Sequence, residues 1–179
     1  MQCLFLKINM FNVTNLPIAM KKITYQPIGI IHSPFTSTVR TPIQPSSAEG
    51  YQGTVEVFPE YAEGLKDIEG FSHLLLVYHF HLSQDFKLLV KPYLDDKVHG
   101  VFATRAPKRP NGIGISTVKL LRVEGHTLYI ENVDILDGTP LLDIKPYVPQ
   151  FHNAQHVKVG WLTGKENRIK TQKADDRFD

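Results

Sequence analysis

Three cations lie within five residues of one another in a proline-rich segment of the chain. The segment GVFATRAPKRPNGIGIS (residues 100–116) contains Arg105, Lys108 and Arg109. Each of its two prolines restricts the preceding residue to extended conformations, so the segment is expected to be stiff. A stiff segment positions its cations before a ligand arrives, and the guanidinium fork of arginine matches phosphate or carboxylate oxygens. A solvated basic loop is the alternative, but the rigidity favours a ligand site.

The glycines that follow resemble the start of a dinucleotide-binding fingerprint. Gly112 and Gly114 match its first two glycines, but Thr117 stands where the third would be. The segment also lacks the strand–helix–strand context that this fingerprint requires. We therefore exclude a Rossmann-type cofactor fold.

Two histidines end a strongly apolar run, HLLLVYHFH (residues 73–81). In a strand, His79 and His81 lie on the same face and could chelate a metal. A metal site would need a further histidine or carboxylate ligand, and none can be identified at a characteristic spacing in the sequence. Packing or substrate contact is the favoured interpretation, and no metal site is predicted.

An acidic segment, NVDILDGTPLLDIKPYVP (residues 132–149), is the third candidate. Its carboxylates are Asp134, Asp137 and Asp143. One of them is explained by a turn, because aspartate there commonly bonds its own backbone. Carboxylates are also the usual partners of ribose hydroxyls and adenine amino groups. Lys145 and Tyr147 follow, and an aromatic side chain beside a cation suits nucleobase stacking near phosphates.

The elements that position these groups are mainly strands. Six runs are rich in β-branched and aromatic residues, at 23–31, 53–58, 73–81, 99–105, 113–123 and 126–135. Only residues 61–68 read as a short helix. Many short strands without alternating helices predict a single barrel or sandwich with long loops. The chain has 179 residues, of which 42% are hydrophobic, and this is enough for one packed core.

The ends and the overall charge restrict the remaining possibilities. A net charge of +2 does not by itself indicate a nucleic-acid-binding protein, and one cysteine suits a reducing compartment. Residues 1–22 are interpreted as an extension, poorly ordered and neither a signal peptide nor a membrane span. Residues 164–179 read as a charged, solvated tail. The expected location is the cytoplasm.

Five motifs together resemble the TsaA-like (YaeB-like, TrmO) family, over roughly residues 23–161. They are PIGIIHSPF (27–35), TPIQP (41–45), FSHLLLVYHFH (71–81), GVFATRAPKRPNGIGIS (100–116) and DILDGTPLLDIKPYVP (134–149). Members of that family are S-adenosylmethionine-dependent enzymes that methylate N6 of threonylcarbamoyladenosine at position 37 of tRNA. The resemblance implies a non-Rossmann β-barrel methyltransferase domain over residues 23–163, acting as a homodimer with the cofactor near the subunit interface.

The resemblance also implies site residues. The expected cofactor contacts are Pro42, Ile43, Gln44, His81, Leu82, Arg105, Ile115, Asp134, Ile135, Leu136 and Asp137. Asp137 and His81 are the candidates for a general base that removes the N6 proton. Arg105 is expected to orient the cofactor or substrate. The residues expected to contact the tRNA anticodon loop are Lys108, Arg109, Lys145 and Tyr147.

The chain departs from the family pattern at three places. Gly112 replaces a usual proline and is expected to loosen the end of the basic segment. Leu82 replaces a frequent glutamine, and only a short tail follows the barrel, where some relatives carry another domain. Two alternatives stay open: a non-catalytic module that binds S-adenosylmethionine or a nucleotide, and a metal-dependent barrel enzyme.

Overall fold

The architecture is a closed barrel of six antiparallel strands. The computed structural model describes residues 22–39, 41–152, 157–169 and 171–178, and the predicted extension at residues 1–22 lies outside them except for Lys22. The barrel strands are β1 (Gly29–His32), β2 (Gln52–Val57), β3 (His73–His79), β6 (Ile113–Glu124), β7 (Thr127–Glu131) and β8 (Thr139–Pro146). They close in the order β1-β2-β7-β6-β3-β8. The predicted mainly β class and barrel are confirmed.

Alternation of side chains along the strands builds the core. In β3, Leu74, Leu76 and Tyr78 are buried, whereas the residues between them are more accessible. Successive side chains of a strand point to opposite faces, so this pattern directs one apolar row into the barrel. The rows of the other strands complete a single core that includes Ile31, Val55, Val118, Leu128, Ile130 and Leu141.

Three predicted strands differ from the structure. The run at 23–31 forms a strand only from Gly29, where β1 begins. The run at 99–105 contributes only β5 (His99–Gly100), which pairs with β4 (Leu89–Val90), and then turns into a 3₁₀ helix (Val101–Ala103). The Thr104 amide and hydroxyl both donate to the carbonyl of Val101, and this local bonding competes with a strand. The run at 126–135 ends as a strand at Glu131, where β7 stops.

Strand β8 was not predicted, because Pro140 and Pro146 lie within it. The amides of Thr139, Leu141 and the residues between the prolines remain available for pairing, and β8 pairs with both β1 and β3. The predicted helix at 61–68 is instead a pair of 3₁₀ helices, Pro59–Leu65 and Ile68–Gly70. Gly64 lies inside the first of them and disfavours a regular α-helix. A further 3₁₀ helix, Pro45–Ser47, precedes β2.

The end of the chain is packed against the rest of the protein. It contains 3₁₀ helices at Gly160–Leu162 and Asp176–Phe178 and one α-helix, α1 (Glu166–Ile169). Phe178 is only 9% exposed and packs with Val90, Val101 and Ala106 in a second apolar cluster. Most described residues of the predicted charged tail are at least partly exposed, and Phe178 anchors its end in this apolar cluster. Among the described residues, no helix has the length and apolar character needed to cross a membrane.

Candidate functional site

A cavity of about 1140 Å³ lies at one end of the barrel. Its walls come from the end of β3, the start of β6, the start of β8 and the segment that follows β7. These ends meet because neighbouring strands of the barrel are antiparallel. Loop residues 36–38, 41–44, 92–94, 102–107 and 109 enclose the cavity further. Its size is that of a site for a nucleoside-sized ligand with space beside it.

Asp134, Ser116 and Tyr78 form the polar floor of this cavity. The hydroxyl oxygens of Tyr78 and Ser116 lie 3.1 Å apart. The Oδ1 atom of Asp134 is buried and has no hydrogen-bond partner among the described residues. A buried carboxylate oxygen without a partner is costly in a folded protein, so its position here is best explained by a ligand that donates to it.

Burial raises the pKa of Asp134 to about 6, while hydrogen bonding to Ser116 and the positive charge of Arg105 act in the opposite direction. Burial, followed by the negative charge of Asp134, also raises the pKa of Tyr78, which keeps its phenol protonated. A strongly perturbed carboxyl in a cleft is a common mark of a functional site. Arg105 is exposed on the cavity wall, so its guanidinium is available to a ligand.

His81 lines the cavity, whereas His79, two residues earlier, is exposed and is not among the lining residues. Burial, and then the neighbouring His79, lower the pKa of His81 below its ordinary value. Its Nδ1 is 3.3 Å from the hydroxyl of Thr139, which itself donates to the carbonyl oxygen of Leu136. The Thr139 oxygen is therefore an acceptor for Nδ1–H, and this tautomer leaves Nε2 with a free lone pair. The imidazole is neutral at pH 7 and able to accept a proton.

The cations of the basic segment do not share one role. Lys108 is only 8% exposed, and its Nζ lies 2.7 Å from Oδ1 of Asp85. This placement corrects the expectation that Lys108 points outward, since the lysine is buried and its ammonium pairs with Asp85. Arg109 lines the cavity but donates to the carbonyl oxygens of Val101 and Thr104. Arg105 is the exposed one of the three.

Gly112 does not leave the end of the segment loose. Its carbonyl oxygen accepts hydrogen bonds from the amide of Phe80, at 2.7 Å, and from Nδ1 of His79, at 3.1 Å. These two bonds fasten the segment to the end of β3. The expected loosening is therefore corrected by contacts that the residue makes through its backbone.

The residues assigned to the cofactor by resemblance come together, with one exception. The cavity is lined by Pro42, Ile43, Gln44, His81, Leu82, Arg105, Ile115, Asp134, Ile135 and Leu136. Asp137 is not among its lining residues. Its carboxylate accepts from the Ser33 amide at 3.1 Å and lies 3.3 Å from Nδ1 of His32, at the exposed edge of the barrel.

Lys145 and Tyr147 lie at the other end of the barrel. Lys145 pairs with Leu75 of β3, six residues before His81, which corresponds to about 20 Å along a strand. Its Nζ lies 2.7 Å from the carboxylate of Asp143, and the ring of Tyr147 contacts that of His73. These residues are thus distant from the cavity. In the described ranges, no three His, Cys, Asp or Glu side chains are grouped in a way that could hold a metal ion.

Sequence reasoning missed the part of the cavity wall that comes from the end of the chain. The residues concerned are Trp161, Leu162, Ile169, Ala174 and Phe178. The available signal was the apolar content at the end of the chain: a tryptophan and a leucine just before the charged tail, and an isoleucine and a phenylalanine within it. No local pattern indicates where such residues pack.

Comparison with known proteins gives a consistent result. The family model of the tRNA-methyltransferase O N-terminal domain matches residues 30–153. A Pyrococcus abyssi protein named probable S-adenosyl-L-methionine-binding protein is 58% identical over 156 residues, which cover 87% of this chain and 85% of that protein. A mouse tRNA (adenine(37)-N6)-methyltransferase is 37% identical over 141 residues, covering 75% of this chain and 33% of the mouse protein.

A solved structure has the same fold. The crystal structure of TrmO from Pseudomonas aeruginosa aligns with a TM-score of 0.66 at 39% identity, over 78% of this chain and 62% of that one. The chain therefore spans most of the archaeal relative, about a third of the mouse enzyme and under two thirds of the bacterial one.

Proposed function

Because the chain belongs to the tRNA-methyltransferase O N-terminal domain family, we propose that it transfers a methyl group from S-adenosylmethionine to N6 of threonylcarbamoyladenosine at position 37 of tRNA. Family membership confirms the predicted TsaA-like resemblance. Within the family, mouse and rat relatives are named tRNA (adenine(37)-N6)-methyltransferases, and archaeal ones probable S-adenosyl-L-methionine-binding proteins. The predicted enzyme class and cofactor are thus confirmed at the level of the family. The threonylcarbamoyl specificity is our proposal.

The observation that carries the proposal is the buried Oδ1 of Asp134, facing a cavity large enough for a nucleoside cofactor. S-adenosylmethionine offers amino groups that can donate to this oxygen, and a positive charge that suits a carboxylate. The apolar side chains of Ile43, Ile135 and Leu136 provide the surroundings that a purine and a methylene chain prefer. When bound, the cofactor supplies an electrophilic methyl group.

In this proposal Asp134 and Arg105 hold the cofactor and the target nucleotide in line. Asp134 accepts from a donor group of the cofactor, and Arg105 binds a carboxylate or phosphate at the cavity wall. Positioning of two reactants can reduce a barrier by about 7–11 kcal/mol in favourable cases. The threonylcarbamoyl group carries a carboxylate of its own, which is a suitable partner for the exposed guanidinium.

His81 is the proton acceptor that we propose for this reaction. As N6 takes the methyl group, the sulfur–methyl bond would break and S-adenosylhomocysteine would leave. The N6 proton moves to Nε2 of His81, whose lone pair is free because Nδ1–H is directed at Thr139. Such general-base assistance contributes roughly 10²–10⁴-fold. Asp137, the other candidate, is engaged by His32 and Ser33 outside the cavity. We therefore assign it to holding the turn before β8.

The proposed RNA contacts are the exposed cations beside the cavity. Arg105 is one, and Arg168 and Lys173 are exposed neighbours of Ile169 and Ala174, which line the cavity. Lys145 and Tyr147 could contact only a more distant part of the anticodon arm, given their position at the other barrel end. A tRNA substrate and the single cysteine both fit a cytoplasmic site of action.

A homodimer is part of the proposal. Leu82, Phe102 and Ile115 line the cavity yet are 57%, 74% and 54% exposed. Apolar side chains of this size at a cavity mouth suit coverage by a second copy of the chain. Light scattering should then give twice the chain mass, and Phe102→Ser should reduce it. A monomer at all concentrations would contradict this part of the proposal.

The test is methyl transfer to a defined tRNA. The protein is incubated with isotopically labelled S-adenosylmethionine and a tRNA carrying threonylcarbamoyladenosine, with the same tRNA unmodified at position 37 as the matched control. Label in the modified nucleoside only, identified by mass spectrometry after digestion, supports the proposal. Label transfer to both tRNAs would contradict the proposed specificity for threonylcarbamoyladenosine.

Two outcomes would favour the alternatives. Cofactor binding by calorimetry with no transfer to any tRNA would identify a non-catalytic binding module. Activity abolished by a chelator and restored by one divalent metal would identify a metal-dependent enzyme.

A further inference from the structure

The end of the chain forms a strap along one side of the cavity. The strap consists of the described residues 157–169 and 171–178. It begins after residue 153, where the match to the family domain ends. Nevertheless it supplies five lining residues, Trp161, Leu162, Ile169, Ala174 and Phe178. All five are apolar, and Phe178 is anchored in the apolar cluster of Val90, Val101 and Ala106.

The strap is fastened to the segment that contains Arg105. The indole Nε1 of Trp161 donates to the carbonyl oxygen of Ala103 at 2.8 Å, and its ring stacks on His99 with centroids 4.6 Å apart. Lys165 Nζ lies 2.6 Å from Oδ2 of Asp95, the same oxygen that lies 3.1 Å from Nε2 of His99. The side chains of Asp95, His99 and Lys165 are therefore linked in one polar cluster beside the Trp161 ring.

The strap is also fastened to the loop that contains the expected cofactor contacts at 42–44. The amide of Ala174 donates to the carbonyl oxygen of Thr41 at 3.0 Å, and Lys173 forms a β-bridge with Pro42. Farther along, Arg177 Nη1 donates to the carbonyl oxygen of Pro92 at 2.7 Å. The strap thus joins the loop at 41–44 to the segment at 92–105, which lie on either side of the cavity.

We propose that this strap is a working part of the cofactor site, closing the apolar side of the cavity and fixing the two loops that bind the cofactor. The inference rests on the proposed function, because it takes S-adenosylmethionine as the ligand. Since the strap presents only apolar side chains to the cavity, it contacts the purine or methylene parts of the ligand. Those parts are shared by S-adenosylmethionine and S-adenosylhomocysteine. The strap therefore strengthens the binding of both to the same degree.

The first experiment compares two neighbouring positions of α1. Ile169→Ala removes a lining side chain, and Asn167→Ala is the matched control because Asn167 is exposed and outside the lining. We expect Ile169→Ala to raise the Kd of both ligands by about 5–10-fold, with their ratio unchanged and with an unchanged melting temperature. Asn167→Ala should leave both values at the wild-type level. Equal Kd values for the two variants would overturn the proposal.

The second experiment needs no variant. Hydrogen exchange of the full chain is measured with and without S-adenosylmethionine. The expected result is slower exchange both at 42–44 and 134–136 and in the strap. Protection of the first two segments with no change in the strap would overturn the proposal while leaving the cofactor assignment intact. No binding and no protection anywhere would overturn the cofactor assignment, and with it the role of the strap.

Discussion

The phenol of Tyr78 and the hydroxyl of Ser116 lie 3.1 Å apart on the neighbouring strands β3 and β6. Burial and the charge of Asp134 keep the phenol protonated, so it donates to Ser116. The Ser116 hydroxyl is then free to donate to Asp134, as the lowering of the Asp134 pKa by this bond indicates. A relay of three side chains thus stabilises one carboxylate oxygen and leaves the other, Oδ1, for a ligand.

Asp134 should make the protein less stable at neutral pH than a neutral side chain would. Its pKa is raised from 3.8 to about 6, so the folded state binds the proton more tightly than the unfolded chain does. The stabilisation is complete below pH 4 and is lost as the pH rises through 6. The difference amounts to at most about 3 kcal/mol. Asp134→Asn should therefore be more stable than wild type at pH 7, and this gain should vanish near pH 4.

Urea unfolding at a series of pH values tests this prediction. Several surface carboxylates, including Asp95 and Asp85, have pKa values held low by lysine partners, and their stabilisation is lost only at lower pH. The difference between wild type and Asp134→Asn isolates the buried group from them. A variant less stable than wild type at pH 7 would contradict the raised pKa.

Arg105 should control the pH at which the cofactor binds. Its positive charge lowers the pKa of Asp134 against the effect of burial. In Arg105→Met that pKa should rise above 6, so binding that needs the carboxylate should move to higher pH. At pH 7 we expect the affinity to fall by about 10-fold or more. Calorimetry from about pH 5.5 to 8.5 measures the shift, with Lys66→Met, an exposed cation outside the cavity, as the control. An unchanged midpoint in the pH dependence of binding would show that Arg105 does not influence the ionisation of Asp134.

Gly114 should be required for the floor of the cavity. A Cβ at this position would overlap the Tyr78 ring at Cε2 and Cζ. Gly114→Ala should displace the phenol, break its bond to Ser116 and lower both stability and cofactor affinity, the former by about 1–3 kcal/mol. Gly112→Ala is the matched control, because its Cβ would make only ordinary contacts with His79, at 3.4 Å, and Phe80, at 3.7 Å. If both variants bound the cofactor like wild type, the packing of Tyr78 over Gly114 would not matter to the site.

The barrel could be predicted from the sequence because its strands carry their own signal. The apolar run of β3 and the β-branched residues of β6 are local patterns that do not depend on partners elsewhere in the chain. Strand β8 could not be predicted because its two prolines are typical of the end of a strand, although the residues between them pair normally with β3. Asp134 lines the cavity, whereas Asp137, three residues later, does not. The sequence of the motif does not indicate which of these two aspartates enters the cavity.

What could not be predicted depends on partners far away in the chain. Lys108 is buried because Asp85 lies beside it, 23 residues earlier. The strap lines the cavity because Phe178 reaches Tyr93, with ring centroids 5.1 Å apart. Charge patterns and secondary-structure propensities do not predict such contacts, because each contact joins single residues from two segments that are distant in the sequence. The outward placement expected for Lys108 is corrected for this reason.

Lys108 and Lys173 should therefore respond differently to loss of charge. Lys108→Met removes the partner of Asp85 and should lower the melting temperature by a few degrees, with little change in tRNA affinity. Lys173→Met removes an exposed charge beside the cavity and should weaken tRNA binding and reduce its salt dependence, with an unchanged melting temperature. Thermal unfolding and filter binding at several salt concentrations distinguish the two. If the Lys108→Met variant had an unchanged melting temperature but bound tRNA more weakly, the original expectation that Lys108 contacts RNA would be supported.

Thr139 should control catalysis through the tautomer of His81. Its hydroxyl accepts from Nδ1–H, and without it the imidazole is free to carry its proton on Nε2, where it cannot accept another. Thr139→Val keeps the shape of the side chain, so we expect kcat to fall by about 10–100-fold while the KM for S-adenosylmethionine changes less than about twofold. Thr163→Val, at an exposed threonine outside the cavity lining, is the control. Single-turnover methyl transfer measures the chemical step directly. An unchanged kcat would show that His81 does not accept the proton, whereas equal losses in kcat and cofactor binding would indicate a disturbed cavity and not a changed tautomer.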